Sequence, residues 1–180
     1  HDRISPSMSL LVIIGHVKDG LELARQYGLP RPLREFIATH HGTSVMRYFY
    51  HTAKQHAEAE GVEMPNEAQF RYPGPKPKTR EAAILMLADG AESSVRTLSE
   101  PTPTSIRTQI HRIITSRLED GQLDDCDLTL REVHQVEESL VKSLCGIYHG
   151  RISYPDEKEK PSADENTNGN GNGNGNEKIQ

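Results

Sequence analysis

Nine residues near the middle of the chain, Phe70-Arg71-Tyr72-Pro73-Gly74-Pro75-Lys76-Pro77-Lys78, contain three prolines and a glycine. Each proline removes a backbone donor and fixes φ, so this stretch cannot be a helix interior or a central strand. It must run as an extended, stiff loop. Any core has to come from the segments on either side, and both read as helices.

Upstream, Pro6 follows Ser5 where a first helical turn tolerates proline. From there to Gly28, Met8, Leu11, Val12, Val17, Leu21 and Ala24 recur near three- and four-residue steps, an amphipathic helix closed by a glycine cap. Pro30 and Pro32 open a short second helix with Leu33, Phe36 and Ile37 as its buried face, and Gly42 stops it after His40-His41. A third helix is expected over 44–60, carrying Val45, Tyr48 and Phe49. Beyond the loop, Thr79 can cap a helix reaching Leu98 through Ala82, Ala83, Leu85, Met86 and Ala88. Thr102-Pro103 starts another, with Ile106, Ile110, Ile113, Ile114 and Leu118 as its apolar stripe. Thr129 and Glu132 have the side chains of a capping box for a last helix ending near Tyr148. No period-two alternation interrupts the series, so the fold class is all-α.

Composition changes abruptly after Pro155. Residues 156–180 are charged and polar and then alternate Asn and Gly, burying nothing that offsets chain entropy. The expectation is one domain over 1–155 and a disordered tail over 156–180. That tail holds six acids and three bases of a chain at −5, leaving the domain at −2. With Lys and Arg spread along it, the domain has no electrostatic reason to take nucleic acid as a partner. No run of roughly 18 apolar residues offers a membrane span, and the stretch 10–14 is too short for a secretory signal. A soluble, cytoplasmic chain is expected. Cys126 and Cys145 lack metal-ligand spacing and read as free buried thiols in a reducing compartment.

The residues that carry chemistry are His16, the pair His40-His41, and Asp89 in the run Leu85-Met86-Leu87-Ala88-Asp89. Neutral imidazoles and carboxylates suit Fe, Mn or Zn, ions that activate water. Neighbours on a helix point about a hundred degrees apart, so His40 and His41 can share an ion only at a helix end, which Gly42 supplies. Gly15 beside His16 lets another backbone or a ligand approach. Asp89 is the odd polar residue in its run, and a buried carboxylate needs a metal or an arginine as counter-charge. Spacing alone leaves open that all four are surface or satisfied core residues. His51, His56, His111, His134 and His149 read as ordinary surface residues.

Five segments together closely resemble the cytoplasmic HD domain of the 7TM-HD phosphodiesterases, which hydrolyse cyclic di-adenosine monophosphate. They are Gly15-His16-Val17-Lys18-Asp19-Gly20, His40-His41-Gly42-Thr43-Ser44, Phe70 to Pro77, Leu87-Ala88-Asp89 and Asp120-Gly121-Gln122-Leu123. The resemblance covers residues 1–155. It implies an HD-domain helical bundle that binds two divalent metal ions, iron or manganese, beneath a cyclic dinucleotide. It also implies that His16, His40 and His41 match the three histidines of one ion and Asp89 the terminal aspartate of the other. In the complete domain, activated water would attack one phosphorus in line and leave the linear dinucleotide pApA.

One part of the family pattern has no match. The family's first histidine and its His-Asp pair, whose aspartate bridges the ions, are missing; His1-Asp2 precedes the helix start Arg3-Ile4-Ser5-Pro6, whereas the family pair lies inside a helix. The chain is therefore expected to be an N-terminally truncated part of a membrane-anchored parent, weak or inactive alone and open to pairing with the missing part. For the substrate, Lys18 and Asp19 are candidates to orient a phosphate or a ligand histidine. Arg71, Tyr72 and Lys76 offer cations and an aromatic surface for adenine, or else form a structural strap across the helices. Arg96, two turns beyond Asp89, pairs with a phosphate or with Glu92. The alternatives are a non-catalytic nucleotide-binding module, an HD hydrolase of another nucleotide, and the remnant of a split gene whose apolar faces over 10–40 stay uncovered.

Overall fold

The computed structural model describes residues 6–149, and side chains over 10–148. His1-Asp2 and the expected tail over 156–180 lie outside the described residues. Six α-helices follow one another: α1 (Pro6–Gln26), α2 (Arg31–Thr39), α3 (Arg47–Glu60), α4 (Arg80–Val95), α5 (Pro103–Glu119) and α6 (Leu130–His149). A 3-10 turn, Glu67–Phe70, precedes the proline-rich loop. Among the described residues there is no strand, only an isolated antiparallel bridge between Val45 and Arg71, and no helix is long and apolar enough to cross a membrane.

α4 is the central rod of the C-terminal half. Its Ala83, Met86, Leu87, Ala91 and Val95 join Ile106, Ile110 and Ile114 of α5 and Val133, Val141 and Leu144 of α6 in one buried cluster. The helix starts are capped where the sequence indicates. Thr79 Oγ1 accepts from Ala82 N at 3.2 Å, and Thr102 and Ser105 close a reciprocal box. Thr129 N donates to Glu132 Oε2 at 2.8 Å while Glu132 N donates to Thr129 Oγ1 at 3.3 Å. Each such cap is worth about 1 kcal/mol, because it satisfies a donor that has no partner inside the helix.

Elsewhere the structure departs from the pattern, at the start of α3 for a tertiary reason. α3 begins at Arg47 rather than 44 because the preceding backbone pairs with the loop: Met46 N donates to Phe70 O at 2.8 Å and Tyr72 N to Ser44 O at 3.0 Å. α4 stops at Val95, short of Leu98. On α5, Leu118 is exposed, and the buried stripe of Ile110 and Ile114 continues instead into half-buried Arg117. Leu33 is exposed, as is Tyr48, while Thr39 is the buried residue of α2. On α1, Val17 and Ala24 are buried, but Leu11 and Val12 are not. Cys126 and Cys145 are free and half-buried, packed against the core.

Candidate metal centre

α1 and the turn that ends α2 bring three imidazoles together. His16 Nε2 stands 3.4 Å from His40 Nε2, and one nitrogen of each of His16, His40 and His41 lies within 4.8 Å of the others. The backbone fixes two of the tautomers. His16 Nδ1 contacts Ile13 O and His40 Nδ1 lies 2.8 Å from Ile37 O, so the proton belongs on Nδ1 and the Nε2 lone pair faces the cluster. His41 lies between Tyr72, whose ring stacks on it at 4.2 Å between centroids, and Asp89, whose Oδ2 is 3.6 Å from Nδ1. Burial, and then His40, His16 and Arg117, push the His41 pKa down to about 3, which keeps its ring neutral and its lone pair available. Burial and Asp89 push the Tyr72 phenol up to about 12, against the pull of Arg117, so at neutral pH it is a hydrogen-bond donor and not a base.

The turn that presents His40 and His41 is held from a distance. Gly42 has φ of 54°, and a Cβ there would meet Gln122 Oε1 and the Met86 methyl. Gln122 is fully buried, accepts from Thr43 N at 2.9 Å, and donates to Asp120 Oδ2 at 2.9 Å and Thr43 Oγ1 at 3.0 Å. Arg71 completes the frame. It clamps Asp120 through two bonds of 2.8 and 3.1 Å, reaches Glu67 at 2.7 Å and donates to Thr43 O at 2.9 Å. Burial raises the Asp120 pKa, but bonds from Arg71 and Gln122 and the charges of Arg71 and Arg117 outweigh it and hold this carboxyl below the usual range.

No family model matches the chain. It is 41% identical over 160 residues to the cyclic-di-AMP phosphodiesterase PgpH of Bacillus subtilis strain 168, a match covering 89% of this chain. The crystal structure of the HD domain of Listeria monocytogenes phosphodiesterase PgpH superposes with a TM-score of 0.75 at 39% identity, over 83% of this chain and 67% of that domain. The same domain in complex with cyclic-di-AMP gives a TM-score of 0.76 at 39% identity, over 82% and 67%. The chain belongs to the PgpH HD-domain family. It spans only 22% of the length of the Bacillus relative.

An HD phosphodiesterase implies a divalent metal, and the three imidazoles fit one. Bonds of about 2.1 Å at right-angle to tetrahedral spacing put two nitrogens roughly 3.0–3.4 Å apart, the separation His16 and His40 already have. A Nδ1–H held by a backbone carbonyl is the usual outer support of a metal-bound histidine. Asp89 stands beside this trio, against His41, and is half-exposed rather than buried, so solvent supplies part of its solvation.

The remaining sequence candidates divide by place. Tyr72 is at the cluster, stacked on His41. Lys18, with Gly15, Pro73 and Gly74, lines a cleft of about 280 Å³ flanking His16, and Asp19 is exposed on the next turn. Lys76 is 3.9 Å from Asp124 and opens on a cavity of about 540 Å³ that also holds Arg25, Arg34 and Lys78 but none of the cluster residues. Arg71 is saturated by the frame around Asp120, the strap role, with no free donor face for a ligand. Arg96 ends α4 as its C-cap, paired with Glu92 at 3.8 Å. Seven residues of helix set it about 10 Å from Asp89 along the axis. Of the remaining histidines, His51, His56, His111 and His134 are exposed, while the side chain of His149 lies outside the described set. Sequence reasoning assigned no role to Gln122 or Arg117. For Arg117 a signal existed, a cation three residues beyond Ile114 on the apolar side of α5.

Proposed function

We propose that this chain is part of a metal-dependent phosphodiesterase that hydrolyses cyclic di-AMP to linear pApA. The observation that carries the reading is the histidine trio, with the Nε2 lone pairs of His16 and His40 set by backbone carbonyls, in a chain similar to a domain solved with cyclic-di-AMP. His16, His40 and His41 are its metal ligands and Asp89 a ligand of a second site. The ions are iron or manganese; bound there, they would lower the pKa of water and neutralise phosphate oxygens. The protein's own groups do the rest. Carbonyls orient the imidazoles, the Gln122 and Arg71 frame holds their turn, Tyr72 shields His41, and Lys18 and Lys76 offer charge to the dinucleotide on either side. Asp19 and Arg96 complete the candidate contacts.

On this reading the domain occupies residues 1–155 and works on the cytoplasmic side of a membrane-anchored parent. Two-metal turnover then needs ligands from the third of the HD domain that this chain does not match, so the chain alone is weak or inactive. Apolar surface on α1 and α2 is suited to docking that third.

Equilibrium dialysis with Mn²⁺ and chromatography of cyclic di-AMP test the proposal. The wild-type chain should bind about one ion, lose it in His40→Ala and His41→Ala, and retain the dinucleotide, with any pApA appearing in proportion to bound metal. Retention without pApA, even when the unmatched third of the HD domain is supplied, would make it the non-catalytic module. Preferential cleavage of another nucleotide would move it to another HD hydrolase, and failure to take up any divalent ion would overturn the metal centre itself.

A further inference from the structure

We propose that Arg117 contacts a phosphate of the ligand at the His41–Asp89 edge of the metal centre. This rests on the phosphodiesterase reading and adds to it a residue outside the segments that carry the family resemblance. Arg117 occupies the position where the stripe of Ile110 and Ile114 should bury an apolar residue, and its backbone is locked there, its carbonyl accepting from Gln122 N at 2.9 Å. The guanidinium lies beside Gly90, the residue after Asp89: a Cβ built there would stand 3.8 Å from Arg117 Nη2, in ordinary contact.

What marks this side chain is an unmet demand. Its Nε is buried without a hydrogen-bond partner, and among the described residues it makes no ion pair. Other arginines that cross between elements are matched: Arg71 to Asp120 at 2.8 Å, Arg80 to Glu132 at 2.8 Å, Arg47 to Ser116 at 2.6 Å. Arg34 also has an unpartnered Nε, but it lines the cavity away from the histidines. Burial lowers the Arg117 pKa, against Asp120 and Asp89, which raise it, and its charge is felt by both His41 and Tyr72. A guanidinium does not shed its proton to escape such a site; it takes an anion. Two oxygens of a phosphodiester match its planar fork, and a charge-assisted pair in a half-buried place is strong.

The test uses the Mn²⁺-loaded full chain and two probes, cyclic di-AMP and inorganic phosphate, with Arg117→Gln and Arg117→Lys. Expected is dinucleotide binding roughly ten- to a hundredfold weaker in Arg117→Gln, partly restored in Arg117→Lys, with Mn²⁺ affinity unchanged. Equal loss of Mn²⁺ affinity would mean that Arg117 acts through Asp89, and unchanged dinucleotide affinity would leave it no contact; either overturns the inference. If the wild type binds phosphate through Arg117 but not cyclic di-AMP, the substrate reading fails and this one stands. Wild type that binds neither probe overturns it. Should the variants fail to fold, the Arg117 Nε–Hε NMR signal of the wild type decides: it must shift when phosphate is added, and a stationary signal sinks the proposal.

Discussion

In the three-helix half formed by α4–α6, Leu87, Ile106 and Ile110 are at most 1% exposed, whereas in α1 Leu11 and Val12 stay 65% and 59% exposed. One half therefore packs α4 into an apolar core with α5 and α6, and the other carries the clustered imidazoles while part of the apolar surface of α1 stays uncovered. Stability and chemistry are lodged in different places. The two are joined by polar links, Gln122 to Thr43 and Arg71 to Asp120, across a sequence separation of 79 and 49 residues. The histidine geometry is thus an export of the core through a few buried hydrogen bonds.

The largest effect should come from the core itself. Ile110→Ala leaves a cavity among α4, α5 and α6 and should cost about 2–5 kcal/mol in a urea titration. Mn²⁺ affinity, measured where the variant is still folded, should stay within about twofold, as the void is remote from the imidazoles. A variant that loses metal as fast as stability would break the division between the halves.

Next is the link. Gln122→Ala strips Thr43 N and Asp120 of buried partners, at about 1–3 kcal/mol, and frees the His40-His41 turn. Unlike Ile110→Ala it should also lower Mn²⁺ affinity, by roughly tenfold, the scale of losing an outer-shell support. Retention of full metal affinity would show that the turn holds itself.

Acid should find the same link, with a smaller effect. Asp120 has a folded pKa below its ordinary value of 3.8, so its contribution is fully present above 3.8 and is lost as pH falls through the lower, folded value. Asp120→Asn should flatten that limb of the stability–pH curve. An unchanged limb would assign the acid sensitivity to other carboxylates.

Helices were legible because each announces itself locally. Thr79, Thr102-Pro103 and the Thr129–Glu132 box mark starts, and Gly28 and Gly42, both at positive φ, mark stops. Residue type and that glycine stop made the three histidines candidates, and the resemblance to the HD domain grouped them around one ion. What was not legible depends on partners far along the chain. Nothing near Leu33 or Tyr48 says that their outward sides meet solvent. Ser44–Met46 leave the helix only because residues 70–72 lie beside them. Arg71 has the chemistry of a ligand contact, and its strap role appears only once Asp120 is in place. Gln122 shows no local pattern, since its partner Thr43 belongs to the other half.

The smallest change should be Leu11→Ser. At 65% exposure Leu11 gives up little on mutation, so the stability of the isolated chain should move by no more than about 0.5 kcal/mol. Solubility, however, should rise, because Leu11 and Val12 form part of an uncovered apolar side of α1. Sedimentation separates two cases that a melt alone would confuse. If the chain is monomeric and Leu11→Ser is silent, this side of α1 is free surface and the contrast between the halves is as drawn. If the wild type self-associates and the variant does not, two copies cover α1 with each other, and the thin half has a stabilising partner after all. The histidines would then sit beside an interface, and metal affinity would depend on protein concentration.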